Sequence, residues 1–132
     1  MSDQPQKSIE QVAAEVGRYP PEAYYFIHEG LAHTVQHVHG DPSKLPVGKR
    51  HVTGQQLCVG LRELAISKWG MLAGTVLRRW NITGTLDFGR IIFALVDNQL
   101  MQKQPTDRLE DFADVYDFGE AFDRQFDIAP EE

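Results

Sequence analysis

Between Thr53 and Gln99 apolar residues recur every three or four positions, with breaks only at Gly70 and at Asn81-Ile82-Thr83-Gly84. That spacing draws one apolar stripe along a helix and conflicts with the two-residue alternation of a half-buried strand. Leu57, Leu61, Leu64 and Ala65 share a face of one helix, and Leu72, Val76, Leu77 and Trp80 recur in the next. Phe88, Ile91, Ile92, Leu95, Val96 and Leu100 line a third. The stretch is thereby confined to short amphipathic helices. Leu61, Leu64, Leu72, Val76, Ile92, Phe93 and Val96 are the predicted centre of the core.

Helix boundaries are written in capping chemistry. Ser8-Ile9-Glu10-Gln11 and Thr53-Gly54-Gln55-Gln56 both have the form of a capping box, in which a hydroxyl and an amide side chain satisfy each other's backbone N–H. The first opens a short helix that stops near Gly17, and Pro20-Pro21 introduces another from about Glu22 to Val38. On the latter Tyr24, Ile27, Leu31, Val35 and Val38 fall within one arc. Gly40-Asp41-Pro42 ends it, and a loop runs on to Arg50. Met71–Trp80, a four-residue turn and Leu86–Gln99, with Thr85 placed to cap, make a helix-turn-helix by length and spacing.

After Gln99 the period fades. Leu100–Lys103 reads as a strand, Pro105-Thr106-Asp107 as a turn, and Phe112–Phe118 as a returning strand or an irregular loop, before a helical turn at Glu120–Phe126. The predicted fold is mainly α: a compact helical domain containing a helix-turn-helix, winged-helix-like with one small β-hairpin where those strands pair. Residues 8–126 form the single helical domain, with 105–126 an acidic, aromatic-rich C-terminal segment docked on it. Residues 1–7 are a disordered N-terminus and 127–132 a frayed acidic tail.

A chain of 132 residues with 42% hydrophobic content has the size and apolar share of one domain with a real core. A single cysteine, Cys58, excludes an internal disulfide framework and a four-cysteine zinc site. No run reaches the ~18 apolar residues of a membrane span, and the start MSDQPQKS lacks a signal peptide's apolar centre, so no membrane and a cytoplasmic location are expected. The net charge of −6 is unevenly spread. Residues 1–104 carry a net +2 and residues 105–132 a net −8, while 44–90 hold 8 basic against 2 acidic side chains. Opposite partners could dock at opposite ends of such a chain.

Among chemical constellations, Glu29, His33 and His37 stand four residues apart and form one stripe, a pattern that would suit zinc. The stripe lies opposite Ile27, Leu31 and Val35, which makes it a surface feature, and His28-Glu29 lacks the four-residue histidine spacing of a zincin. Cys58 with His51 nearby in sequence is the beginning of a thiol nucleophile, without a third group to orient it. Asp87-Phe88-Gly89 and Asp117-Phe118-Gly119 spell the kinase magnesium motif, but a kinase needs a glycine-rich loop, a strand lysine and a far longer chain. In its first helical turn Asp87 instead favours the helix dipole. Gly70 and Gly74 permit a tight helix crossing. Arg78, Arg79 and Arg90 form a basic cluster, yet Thr85, Leu86, Asp87 and Phe88 occupy the place where a DNA reader needs base-contacting polar groups. The acidic Asp107–Asp117 stretch would repel phosphates, so nucleic acid is an unfavoured partner.

The strings Arg50–Leu57, Trp69–Ala73, Asp87–Phe93, Asp111-Phe112 and Val115–Phe118 together resemble a family of small uncharacterised proteins known mainly from planctomycete and verrucomicrobial bacteria. The likeness covers roughly residues 22–126. It implies a bacterial protein of about this length and carries over no activity, cofactor or catalytic residue, and the histidine stripe lies outside its motifs. The sequence therefore reads first as a non-catalytic protein-interaction or regulatory module with no cofactor. Arg78, Arg79, Arg90, Asp111, Asp114, Asp117, Phe112 and Phe118 are its candidate contacts to a protein partner. A winged-helix-like nucleic-acid binder using Lys49, Arg50, Arg62, Arg78, Arg79 and Arg90 is the alternative, and a zinc-dependent enzyme at Glu29, His33 and His37 the second. Oligomeric state is not legible.

Overall fold

Residues 7–41, 44, 51–101 and 108–123 are described by the structure, a computed structural model. They form helices α1 (Ile9–Val16), α2 (Pro21–His39), α3 (Gly54–Trp69), α4 (Ala73–Arg79) and α5 (Thr85–Asp97). Single 3₁₀ turns occupy Gly70–Leu72 and Leu109–Phe112, and a π turn Gly119–Asp123. The two capping boxes form: the Ser8 and Thr53 hydroxyls accept from the Gln11 and Gln56 amides at 3.1 and 3.0 Å, and the glutamine side chains return the bond. Helices α4 and α5 end alike, with Asn81 and Gln99 left-handed and the next amide reaching back to Leu77 and Leu95.

The packing is tightest between α2 and α3. A Cβ on Gly60 would lie 1.9 Å from Thr34 Oγ1, and one on Gly30 2.1 Å from Leu61 Cδ2. Glycine at both positions lets the two helices close on each other, and the Thr34 hydroxyl is turned inward to donate to the Gly30 carbonyl at 2.7 Å. Gly70 makes no such crossing. It has a φ of +54° and open space where a Cβ would stand, so it serves as the left-handed break after α3.

That break reorders the predicted core. Leu61, Leu64 and Ile92 are buried and Val76, Phe93 and Val96 partly so, but Leu72 is 62% exposed. The 3₁₀ turn at Gly70–Leu72 advances about 120° per residue rather than 100°. Helix α4 therefore begins in a new register, buries Ala73 and Leu77, and leaves Leu72 outside. Val38, at the last turn of α2, is also exposed.

No strand occurs among the described residues, so the wing is not formed there. Phe112–Phe118 runs as the end of a 3₁₀ turn and irregular chain with Asp114 left-handed. Its polar backbone is satisfied by the Thr85 side chain and by turn bonds of its own rather than by a neighbouring strand. Residues 1–6 of the predicted disordered N-terminus, most of the 42–50 loop, Gln102–Asp107 and residues 124–132 lie outside the described residues. Among the described residues no helix is long and apolar enough to cross a membrane.

Candidate functional site

The histidine stripe does not converge on a point. The His33 and His37 rings stack with centroids 6.0 Å apart, while Glu29 turns away to meet Lys68 Nζ at 3.3 Å. The partner that approaches His33 is Glu63, at 3.8 Å. Among the described residues no group of three or more His, Cys, Asp or Glu side chains is placed to hold a metal ion. Four-residue spacing aligns Cα positions on one face, but Lys68 on α3 supplies an ammonium to which Glu29 turns. Cys58 is fully buried, and burial pushes its thiol up to about 12, so it stays protonated at neutral pH.

The acidic segment rests on the body through its aromatic rings. Phe112, Phe118 and Phe122 are buried, with Phe118 5.7 Å from Phe88 and 5.0 Å from Phe122. Phe112 fits against Gly89, where a Cβ would stand 2.7 Å from its Cγ. Thr85, predicted as a cap, is instead the first helical residue of α5. Its hydroxyl donates to the Phe112 carbonyl at 2.6 Å and accepts from the Val115 amide at 3.0 Å. The Tyr116 hydroxyl donates to the Cys58 carbonyl at 2.8 Å, and Arg62 donates to that of Ala121. Asp111 and Asp117 bind the backbone of their own turns, at Arg108 and Glu120, and Asp114 is exposed. The carboxylates shape the segment, while the rings hold it.

The three arginines of the basic cluster do not act together. Arg78 and Arg79 lie in the last turn of α4, where cations complement the carbonyl end. Arg90 is drawn instead to Asp87, at 2.9 Å. Asp87 is only 6% exposed and is the centre of a network that sequence reasoning missed. It accepts from the Tyr19 hydroxyl, the Thr83 amide at 2.9 Å and Arg90. Burial acts most strongly on Asp87 and would raise its pKa. The donors at Tyr19, Thr83 and Arg90 together outweigh it and hold the carboxyl below its ordinary value. Burial and then the Asp87 bond push the Tyr19 hydroxyl well up. An ionised acceptor facing a firmly protonated phenol is a clamp between the α1–α2 turn and α5. A cavity of about 610 Å³ lies beside it, bordered by Arg18, Tyr19, Arg90 and Asp97. Its lining carries Arg18 and Arg90 against Asp97, and Arg90 is already paired with Asp87.

A second feature escaped the sequence reading. Phe26 of α2, Trp69 at the end of α3 and Trp80 after α4 meet with centroids 5.2 to 5.8 Å apart, and Trp69 and Trp80 stand nearly perpendicular. Phe26 is buried and both indoles are half-buried, so their outer surfaces open onto a cavity of about 220 Å³. Tyr25, Glu22, Glu29 and Lys68 complete its wall. Immediately after Trp69 the chain displays Met71, 66% exposed, and Leu72. The available signal was the placement of both tryptophans at the two ends of one short helix. No family model, no curated protein and no solved structure matches the chain.

Proposed function

We propose that the chain is a non-catalytic binding module that engages a protein partner through the tryptophan-lined face of α2, α3 and α4. The observation that carries this reading is the run Trp69–Leu72. Two half-buried indoles border a cavity, and two large apolar side chains that follow Trp69 in the chain, Met71 and Leu72, are 66% and 62% exposed. Exposed large apolar groups next to amphipathic aromatics are the composition of an interface centre. The internal tasks of the other chemical groups support the same reading, since Asp87 and Tyr19 clamp the fold and Cys58 is a buried, protonated thiol. A nucleic-acid role is the weaker reading, because Arg90 is already committed to Asp87.

A photo-crosslinking side chain placed at Leu72, with Ala14 on α1 as the exposed control, tests this in cells of the source organism. Discrete protein adducts at Leu72 and none at Ala14 are the expected result. No adduct at Leu72, or the same adducts at both, would overturn it.

A further inference from the structure

We propose that the cavity between α2, α3 and α4 recognises an alkylammonium group, carried as a methylated lysine side chain by the partner. This rests on the binding-module reading above and adds the chemistry of the ligand. Four aromatic residues supply the wall: Tyr25, Phe26, Trp69 and Trp80. Aromatic faces attract a cation lying within about 6 Å of a ring centroid, and tryptophan does so best. The two half-buried indoles, Trp69 and Trp80, stand 5.4 Å apart on that wall and give a cation at the mouth two rings to face.

Charge selects the same class. The wall carries two carboxylates, Glu22 and Glu29, against one ammonium, Lys68. Lys68 is matched to Glu29 at 3.3 Å, and Glu22 has no hydrogen-bond or ion-pair partner among the described residues. A third carboxylate, Glu10, accepts the Tyr25 hydroxyl at 2.6 Å and holds that ring at the rim. Neither Arg78 nor Arg79 lines the cavity. The wall therefore has one carboxylate in excess beside π faces, a combination that disfavours anions and gives a cation more than a neutral apolar group receives. Methylation fits the aromatic share of the wall, since each methyl replaces a strongly hydrated N–H with apolar surface while keeping the charge.

The test uses the full chain and follows the indole N–H resonances of Trp69 and Trp80 by NMR. Choline chloride is compared with 3,3-dimethyl-1-butanol, its neutral isostere, at ionic strength matched with sodium chloride. Saturable shifts at both indoles with choline, and binding of the isostere about tenfold weaker, are expected. A capped peptide bearing one trimethyl-lysine should bind at least as tightly as choline. Glu22→Gln, a change at an exposed position, should weaken choline binding severalfold while leaving the spectrum folded. Equal binding of choline and isostere, no saturable shift at the indoles, or an unaffected Glu22→Gln would each overturn cation recognition. A peptide that fails where choline binds would overturn the assignment to a partner's lysine.

The two readings fail separately. Adducts at Leu72 with no choline response leave the binding module standing and remove its proposed ligand. Choline binding at the indoles with no adduct at Leu72 removes the protein partner.

Discussion

Replacing Asp87 with asparagine keeps the side chain's shape and removes its charge, so it isolates what ionisation contributes to the clamp. The Tyr19 hydroxyl is the donor that suffers most, because Tyr19 is buried and its acceptor changes from a carboxylate to a neutral amide oxygen. A hydrogen bond to a charged group contributes about 1.5–3 kcal/mol. Arg90 is 40% exposed, so solvent screens its half of the ion pair and only ~0–1 kcal/mol is assigned to it. The Thr83 amide belongs to an exposed residue, and water can substitute there. A neutral bond from Tyr19 keeps about half of the charged bond's contribution, so with the ion pair the loss for Asp87→Asn at neutral pH is about 1–2.5 kcal/mol, roughly a 5–10 °C fall in Tm for a chain of this size. Folding depresses the Asp87 pKa from its ordinary 3.8, so the stabilisation is complete above that value and disappears as pH falls through the lower folded value. Urea denaturation of wild type and Asp87→Asn at neutral and strongly acid pH reads both parts. Adding Tyr19→Phe closes a double-mutant cycle, with a coupling above about 1 kcal/mol expected at neutral pH. A gap under about 0.5 kcal/mol at neutral pH would refute the clamp, as would a gap that persists unchanged into strong acid.

Gly89→Ala would push a methyl to within 2.7 Å of the Phe112 ring carbon, and both Phe112 and Gly89 are buried. The ring has to leave its seat, so a loss of about 1–3 kcal/mol and faster amide exchange around residues 109–118 are expected, and a neutral effect in thermal melts would contradict the seating. Tyr24 is fully buried and its hydroxyl has no hydrogen-bond partner among the described residues. Tyr24→Phe removes an unsatisfied polar group at constant shape and should raise stability by about 1 kcal/mol in denaturant titration; a clear loss would mean that the hydroxyl is bonded.

What could be read from the sequence is what depends on neighbours along the chain. A capping box closes within four residues, so Ser8 with Gln11 and Thr53 with Gln56 carry their geometry in their spacing. The stripe Tyr24, Ile27 and Val35 held for the same reason, because α2 is continuous and turns at a constant rate. Leu72 was misplaced because the helix after Gly70 was started at Met71, whereas the chain first makes a 3₁₀ turn and α4 begins only at Ala73. The histidine stripe was legible as a stripe but its failure to converge was not, since Lys68, which draws Glu29 aside, is 39 residues further on. Asp87 looked like an ordinary first-turn aspartate because its strongest donor, Tyr19, lies 68 residues away. Phe26, Trp69 and Trp80 come from three separate elements, and no periodicity links them.

The acidic segment shows how charge and burial divide the work. Its net −8 invites the idea that the basic middle of the chain draws it down. Exposed ion pairs contribute ~0–1 kcal/mol each, and the clearest carboxylate contacts in the segment, at Asp111 and Asp117, run to its own backbone. A fully buried phenylalanine contributes ~1.5–3 kcal/mol, and Phe112, Phe118 and Phe122 are all buried. The rings also bring two specific bonds into place, since Thr85 can serve the Phe112 carbonyl and the Val115 amide at once only when Phe112 is seated beside Gly89. Attachment therefore depends on shape at α5 more than on ionic strength. Asp111 and Asp117 are turned into local caps, and Asp114 is left to solvent.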